Sequence, residues 1–376
     1  MARLTDEMGF SASPANSSPS TKLGQALVIA VGALILSLFF QSPHLWVFVH
    51  PVPGSTYWDR GLGFVAQCNA PLGAPTADAG LTWRLAPVIL AKALGLHGMA
   101  PLVIPWIGLI LLLTQCAWIS LSRIGDFRIA ALTTALIGTT GATLTVTGWL
   151  GMNDAWYAAA LLAIALQPST SLLILAAIVG PWIDERFILA APLALFIRSE
   201  ALGSGWLPRF SIGVVFGAIA LHVILRLGNV LHVATNSSPE YWRYVFSSCT
   251  AWWPWLTLGW FMGLRAAWIL VVIAIAGNCR REDLRAAWWP AALAIGPMLA
   301  MAVLASDTSR TPTMLLPLVL FGLERLVALH GLSLAKRVTT FLLVANLLMP
   351  AMNVTHKNGD VINMLPIEVV RWARPH

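Results

Sequence analysis

Four short charged sites interrupt a chain whose residues are 58% hydrophobic and only 10% charged. Each site lies where one hydrophobic segment ends or another begins. Ionisable residues at membrane depth usually line a pathway or a reaction site, because charge is costly near lipid. We therefore take these residues as the candidates for chemistry. The four sites are Asp59-Arg60, Asp154, Asp184-Glu185-Arg186, and Asp307 with Arg310.

Two of the carboxylates are candidates for catalysis. Asp59 lies in the sequence YWDR, soon after the first apolar segment, where a carboxylate can act as general base toward a hydroxyl within reach. An ion pair with Arg60 in a loop, or a helix cap, is the structural alternative. Asp154 follows Asn153, so N-capping explains it as well as a metal ligand or an acceptor-orienting carboxylate does. We predict catalytic roles for Asp59 and Asp154.

Arginines beside the other acidic residues are candidates for phosphate binding, because the planar guanidinium matches the geometry of phosphate oxygens. In the sequence DERF, Asp184 can cap the following helix while Arg186 faces a phosphate. In DTSR, Asp307 can position Arg310 for the same purpose. A solvated turn and a local ion pair are the structural alternatives. We predict substrate-binding roles for Arg60, Asp184, Glu185, Arg186, Asp307 and Arg310.

Arg265 lies inside a long apolar segment, TLGWFMGLRAAWILVVIA. A buried arginine in a membrane helix needs a polar partner, water or an anionic ligand. Alternatively, residues 252–264 lie flat on the membrane and Arg265 only extends its charge to water. We include Arg265 among the predicted substrate-binding residues. The sequence contains no HExxH, P-loop, nucleophile elbow or dinucleotide glycine motif, so neither a resident metal nor a soluble-enzyme cofactor is predicted.

The composition indicates that membrane helices position these residues. A soluble domain carries about 25% charged residues, and the mean hydropathy of this chain is +0.76. The formal net charge of +7 fits cytoplasmic loops and lipid headgroups rather than nucleic acid. A helix that crosses a bilayer needs roughly 20 apolar residues. The candidate segments are 24–42, 99–121, 129–148, 155–167, 170–182, 187–198, 209–227, 254–277, 287–305, 312–329 and 338–352.

We therefore predict an all-α, polytopic helical bundle of about eleven spans, counted from these segments. Lysine and arginine in the short loops place the N-terminus in the cytoplasm. Cys68 and Cys249 then fall in outer loops and can pair in an oxidising compartment. The predicted regions are a disordered cytoplasmic N-terminus (1–23), a single transmembrane domain (24–352) with outer loops at 43–98 and 228–252, and an outer C-terminal tail (353–376).

The count of segments places the charged sites on one face of the membrane. Two, two and four segments separate the successive sites, and each number is even. The four sites therefore stay together whichever way the bundle is inserted. The weak point is the segment 83–96, WRLAPVILAKALGL, which Arg84 and Lys92 interrupt. We predict that it is an interfacial amphipathic helix. If it crosses the membrane instead, Asp59 moves to the opposite face.

This layout resembles the GT-C superfamily of integral-membrane glycosyltransferases, which have many spans and an acidic residue early in a long first outer loop. Asp59 in YWDRG fills that position, and Asp154, DERF (184–187) and DTSR (307–310) match further charged residues at outer helix ends. The chain differs from many members in that it has no large C-terminal soluble domain. Arg60, rather than a second acid, follows Asp59. That difference suits a metal-independent variant, although Asp154 could still join Asp59 on a divalent cation.

The resemblance implies a transferase that moves a sugar from a polyprenyl-phosphate donor to a hydroxyl of a glycan, lipid or protein. Asp59 would act as base or orient the acceptor, at the outer face of a bacterial inner membrane. The bilayer is the other expected partner, and no nucleic acid is expected. A transporter or flippase is the alternative, since such proteins also keep charges and broken helices in the membrane. A lipid-linked polysaccharide polymerase is a closer rival, but its arginine-rich outer loop is matched only by Arg243 in 228–252.

Overall fold

The computed structural model describes residues 18–41, 56–72, 82–202, 206–228, 230, 253–277, 285–304, 307–355 and 358–373. These residues form an all-α bundle with one small antiparallel sheet, which confirms the predicted fold class. The helices are α1 (Pro19–Phe40), α2 (Thr56–Asn69), α3 (Leu85–Ala93), α4 (Val103–Arg123), α5 (Phe127–Gly138), α6 (Gly141–Gly148), α7 (Asp154–Leu166), α8 (Thr170–Val179), α9 (Arg186–Leu202), α10 (Trp206–Leu227), α11 (Trp253–Leu264), α12 (Trp268–Ala276), α13 (Arg285–Leu304), α14 (Leu316–Leu348) and α15 (Leu365–Ala373).

Several helices have the length and composition of membrane spans. Among the described residues, five stretches meet both criteria, and the pair α5 and α6, bent by 54°, makes a sixth if it is one span. Shorter apolar helices occur at Asp154–Leu166, Thr170–Trp182 and Pro290–Met301. The count of eleven spans stays a prediction. The five stretches are Pro19–Phe40, Ala100–Arg123, Arg209–Leu227, Trp253–Ala276 and Thr311–Leu348.

Ion pairs between the middle of α14 and the ends of other helices tie together one end of the bundle, which we call the second end. Arg123, the last residue of α4, takes part in one of these ion pairs and also donates a hydrogen bond to the carbonyl of Leu166 at 3.4 Å. Leu166 is the last residue of α7 and Glu200 lies near the end of α9, so both helices finish here. The ion pairs are Arg123–Glu324 at 2.5 Å, Arg325–Glu200 at 3.4 Å and Lys336–Asp126 at 2.6 Å.

The same two helices begin together at the opposite end, which we call the first end. Asp154 opens α7 and Arg186 opens α9, and an ion pair of 2.8 Å joins them. Arg310, just before α14, binds Asp154 as well, at 2.6 Å. Three of the four charged sites that were predicted to lie together therefore meet, and the position of the fourth, Asp59, stays a prediction. The meeting of the three does not depend on the number of spans, since direct contacts establish it.

Helix α14 runs from the first end to the second and back again. Gly331 interrupts it with a φ of 79° and a ψ of 167°, a left-handed conformation that glycine adopts readily. Arg325 and Lys336 flank this break, and both make ion pairs at the second end. Asn346, near the C-terminus of α14, returns to the first end, where it binds Thr139 at 2.9 Å.

Helix α3 is too short to cross a membrane. Its nine residues extend roughly 14 Å at 1.5 Å per residue, about half of a 30 Å hydrocarbon core. One side of α3 is buried through Val88 and Ala91, while Ile89 is exposed. The helix packs against α2 and the start of α4. α3 by itself is therefore too short for the crossing that would move Asp59 to the other face, and the interfacial position of α3 stays a prediction.

Both terminal regions contain more structure than predicted. α1 begins at Pro19, inside the region predicted to be disordered, because Ser18 caps it by accepting a hydrogen bond from the backbone N–H of Thr21. Residues 1–17 lie outside the described part of the chain. The predicted outer tail contains strand β2 (Gly359–Ile362), which pairs antiparallel with β1 (Ala351–Val354), and helix α15.

Candidate functional site

Asp154 is the centre of a buried charge network at the first end. Its side chain is fully buried, and both of its carboxylate oxygens are bound. Arg310 binds it in bidentate fashion, with Nε 3.0 Å from Oδ1 and Nη2 2.6 Å from Oδ2. Arg186 Nη1 lies 2.8 Å from Oδ1. A substrate hydroxyl does not reach a carboxylate enclosed in this way. The contacts are those of a residue that positions two arginines. The predicted catalytic role of Asp154, as a metal ligand or as an acceptor-orienting carboxylate, stays a prediction.

The DERF turn adds a second layer to this network. Asp184 Oδ1 accepts a hydrogen bond from the backbone N–H of Arg186 at 3.0 Å, which confirms the predicted capping of the following helix. Asp184 Oδ2 lies 3.1 Å from Arg84 Nη1. Glu185 binds the other side of the Arg84 guanidinium through both of its oxygens. Arg84 Nη2 lies 2.8 Å from Oε1, and Arg84 Nε lies 3.3 Å from Oε2. Arg84 therefore joins the network through two carboxylates.

Arg84 was not among the predicted site residues. In the sequence, Arg84 is predicted only as a charge that interrupts an interfacial helix. The available signal was its position beside Trp83, immediately before the apolar run of α3. An arginine at such a boundary needs an anionic partner or water, but the sequence does not indicate that the partner is 101 residues away in the chain.

Two carboxyl groups of the network differ in their pKa. Burial alone would raise the pKa of Asp184, but Arg84, Arg186 and Arg310 outweigh it and lower the pKa to about 2. Burial raises the pKa of Asp307 above its ordinary value despite the nearby Arg310 and Arg186. The geometry agrees, because Arg310 Nη1 is 3.7 Å from Asp307 Oδ2, longer than a hydrogen bond. Asp307 is thus the more weakly paired acid.

The network has an enclosed core and a more accessible edge. Four side chains, those of Asp154, Asp184, Arg186 and Arg310, expose 3% or less of their surface. The edge consists of Glu185, Asp307 and Arg84, which expose 32%, 17% and 14%. Three guanidiniums against four carboxylates leave one net negative charge. A ligand approaching from outside would meet the edge first. We call these seven side chains the acid–arginine network.

Several buried polar atoms beside Asp154 have no hydrogen-bond partner among the described residues. They are Arg186 Nε, the hydroxyl of Tyr157 and the amide oxygen of Asn153. Such groups are rare in folded proteins because an unpaired buried polar atom costs about 1–3 kcal/mol. The core of the network therefore has unused capacity for hydrogen bonds, both as donor and as acceptor.

The helix that carries Asp59 packs against the loop that leads to Asp154. Two glycines allow this contact. A Cβ at Gly61 would lie 2.7 Å from Leu150, and one at Gly151 would lie 3.3 Å from the carbonyl of Arg60. Gly151 also has a φ of +77°. The side chain of Asp59 lies outside the described part of the structure, so its predicted catalytic role stays a prediction. Arg60 is half-buried and has an interaction partner, and its substrate-binding role also stays a prediction.

Arg265 has a structural role that differs from the predicted substrate binding. Its side chain is buried, and Nη1 donates to the carbonyls of Asn346 at 2.7 Å and Met349 at 3.3 Å. Nη2 donates to the carbonyl of Thr139. The side-chain amide of Gln41 lies beside the same guanidinium, and its oxygen accepts from Arg265 when the amide is turned to satisfy both groups. A snorkelling side chain would instead point to water, so the buried position does not fit that alternative. The predicted substrate-binding role of Arg265 stays a prediction.

The residues around Arg265 are the C-terminal ends of three helices. Gln41, Thr139 and Met349 are the C-caps of α1, α5 and α14. Helix C-termini carry partial negative charge and unpaired carbonyls, so a guanidinium placed among three of them is stabilised without a carboxylate. Arg265 itself has a φ of 50°, unusual for a residue other than glycine, at the break between α11 and α12.

No group of three metal-ligating His, Cys, Asp or Glu side chains occurs among the described residues. The side chain of Asp59 lies outside that set, so a cation shared by Asp59 and Asp154 stays untested. Cys68 is buried in α2, and burial raises the pKa of its thiol to about 11. Its predicted partner, Cys249, lies outside the described residues.

A cavity of about 310 Å³ lies at the second end of the bundle. Arg123 and Glu324 line it together with Ile124, Val327 and Ala328. It is therefore remote from the acid–arginine network at the first end. Comparison of the chain with protein-family models, with curated proteins and with solved structures finds no match.

Proposed function

We propose that this protein is a membrane glycosyltransferase that uses a polyprenyl-phosphate sugar as donor and a hydroxyl as acceptor. The first end of the bundle would face the outer side of a bacterial inner membrane. One observation carries the proposal. Charged residues from four separate parts of the chain meet in one buried network at a single end of an apolar helical bundle.

The arginines supply the phosphate-binding part of the proposal. Arg84 lies at the accessible edge, and Arg186 and Arg310 lie behind it in the core. Arg186 Nε has no hydrogen-bond partner among the described residues. A guanidinium has five N–H donors in a fixed plane, so one that binds a carboxylate can still bind a phosphate oxygen. Asp154 then acts as a positioning residue, because it fixes the orientation of both core arginines.

In the proposed chemical step, the carboxylate of Asp59 accepts the proton of the acceptor hydroxyl. The acceptor hydroxyl gives its proton to the Asp59 carboxylate while its oxygen forms a bond to the anomeric carbon of the sugar. The bond between that carbon and the phosphate oxygen breaks, and polyprenyl phosphate leaves with the electron pair. Preorganised arginines stabilise the negative charge that develops on the leaving phosphate. The contact between α2 and the 150–154 loop supports the placement of Asp59 near the network.

The proposal is tested with the purified full-length protein in lipid nanodiscs. The protein is incubated with polyprenyl-phosphate sugars and a panel of acceptors, and the release of polyprenyl phosphate is measured. Asp59→Asn should lower the rate by roughly 10²–10⁴-fold, the usual contribution of a general base. Asp126→Asn is the matched control, because it removes a carboxylate at the second end while asparagine keeps the helix cap. Equal rates for the Asp59 variant and wild type would remove Asp59 from the mechanism.

A transporter or flippase is the second candidate, favoured by the broken helices of the bundle. α5 and α6 bend by 54°, Arg265 lies at the break between α11 and α12, and Gly331 interrupts α14. Discontinuous helices are typical of transport proteins. Reconstitution distinguishes the candidates, because a flippase moves a labelled lipid across the bilayer without releasing polyprenyl phosphate. Movement without release would exclude the transferase.

A further inference from the structure

Helix α15 (Leu365–Ala373) has an inverted distribution of polar and apolar side chains. Glu368 is its buried residue, with only 1% of its surface exposed. Asn363 donates a hydrogen bond to Glu368 Oε1 at 2.7 Å, and Arg371 lies 3.6 Å from the same oxygen. A soluble helix usually buries its apolar side and exposes its carboxylates. α15 does the opposite.

The outward side of α15 is apolar. Val370 and Trp372 each expose 52% of their surface, and Val369 exposes 44%. At 100° per residue, Pro366, Val369, Val370 and Ala373 form one continuous side opposite to Glu368. A contiguous exposed apolar surface marks a contact with protein or membrane.

The neighbours of α15 identify the bilayer as that contact. α15 packs against α1, a candidate membrane span whose own outward residues, such as Val28 and Ile35, are apolar and exposed. Ile362, just before α15, is buried beside Trp149 at the first end. The exposed apolar residues of α15 therefore lie next to a candidate span whose outward residues are also apolar. Tryptophan and arginine near the end of such a helix are typical of the headgroup region.

We propose that α15 lies in the headgroup region of the bilayer at the first end, with its apolar side directed toward the acyl chains. This inference does not depend on the proposed enzymatic function. It has a consequence for the network, because strand β1 contacts the segment between Asp307 and Arg310. Ser309 Oγ binds Asn353 Oδ1 at 2.7 Å, and the backbone N–H of Thr308 donates to the carbonyl of Val354 at 3.0 Å. An anchored α15 would hold the β1–β2 hairpin against the segment that carries Arg310.

Two photoreactive diazirines test the proposal on the wild-type protein in nanodiscs. One is attached to a phospholipid acyl chain and the other is a water-soluble sugar derivative, and mass spectrometry measures labelling of residues 365–373. We expect the lipid reagent to label this segment at least severalfold more than the aqueous reagent does. Thr355 and Asn358, the described residues between β1 and β2, serve as the internal reference and should show the reverse preference, since Asn358 is exposed and Thr355 is half-buried. Stronger aqueous labelling would overturn the proposal. So would protection from both reagents, since a protein segment or a second copy would then cover α15.

A pair of variants gives a second readout. Val370→Asp places a charge on the apolar side and should reduce lipid-phase labelling of the segment severalfold. Val370→Ala, the matched control, keeps the side apolar and should retain most of the labelling. Equal lipid-phase labelling of both variants would contradict a lipid contact at this position.

Discussion

The two ends of the bundle hold similar charged residues in different surroundings. At the second end, arginine, lysine and acidic side chains form separate pairs that remain partly exposed. At the first end, the core of the acid–arginine network is almost fully enclosed, and its charges are shared rather than paired one to one. Asp154 binds two arginines, and Arg84 binds two acids.

This difference has an energetic consequence. Partly exposed pairs contribute about 0–1 kcal/mol each, because water competes for both partners. Removal of one partner from a buried pair costs about 3–5 kcal/mol, because an uncompensated charge stays in the interior. Substitutions of charged residues at the second end should therefore cost little stability. At the first end such substitutions should cost much more, so the charges there are held in fixed positions. A fixed set of charges is what stabilisation of a developing charge requires.

The largest effect is expected at the centre of the network. Asp154→Ala leaves two buried guanidiniums without their shared carboxylate and should destabilise the protein by about 3–5 kcal/mol. Asp126→Asn, at the second end, should cost less than about 1 kcal/mol. Unfolding of the purified proteins in mixed micelles, followed by circular dichroism, measures both. Similar losses of stability in the two variants would show that the different burial of the charges at the two ends does not change what they contribute to stability.

Arg265 gives the next comparison. Arg265→Met removes the donor from three carbonyls at helix C-termini and should cost about 3 kcal/mol, with donor affinity unchanged in the folded fraction. Arg123→Met is the control at the second end, where the side chain is partly exposed, and should cost about 1 kcal/mol or less. Unfolding and donor-binding titrations are run in parallel. A stable Arg265→Met variant that binds donor poorly would restore the substrate-binding role.

The stability that Asp184 contributes to the folded protein should depend on pH. Its folded pKa of about 2 lies below the ordinary value of 3.8, so the stability it contributes, about 2 kcal/mol, is present above pH 4 and is lost as the pH falls toward 2. Asp184→Asn should therefore be less stable than wild type at pH 7, and the difference should disappear near pH 2. Unfolding measured across this range tests the prediction.

Asp307→Asn is the matched variant with the opposite sign. The folded pKa of Asp307 is raised, so its ionised form costs stability at neutral pH, and that cost disappears as the pH falls below the ordinary value. The variant should be as stable as wild type or more stable at pH 7. A loss at pH 7 equal to that of Asp184→Asn would contradict the distinction between these two carboxylates.

The smallest effect is expected for a single pair at the second end. Glu200→Gln breaks the 3.4 Å contact with Arg325 and should cost less than about 1 kcal/mol. The loss should shrink further in 1 M salt, where the Debye length is about 3 Å. The same addition of salt should change the effect of Asp154→Ala little, since water does not reach that carboxylate. Equal salt dependence at both ends would argue against a closed core.

Hydrophobic segments and their parity were sufficient to predict the helical class and the meeting of Asp154, the DERF turn and Arg310. Each of these residues borders an apolar run, and an even number of runs separates the sites. The prediction of eleven spans goes beyond the helices whose length and composition meet the criteria for a span. Short apolar runs do not reveal how far each helix extends.

Partners distant in the chain were not predictable from residue types. The role of Arg265 depends on two helix ends that bring three backbone carbonyls to one point. The pattern of apolar residues indicates which segments are buried, but it does not indicate which segments are neighbours. Arg84 was overlooked because its two acids come from a turn far along the chain. Asp154 was expected at the surface of a reaction site, yet two arginines enclose it.

The most direct test asks which end of the molecule binds a lipid phosphate. A polyprenyl phosphate with a diazirine next to the phosphate is crosslinked to the purified protein in nanodiscs, and mass spectrometry maps the label. We expect saturable labelling of the first end, in α2, the 183–187 turn and residues 307–311, and competition by unlabelled polyprenyl phosphate. Labelling centred on the cavity of Arg123 and Glu324, or labelling that never saturates, would contradict the assignment of the acid–arginine network as a lipid-phosphate site.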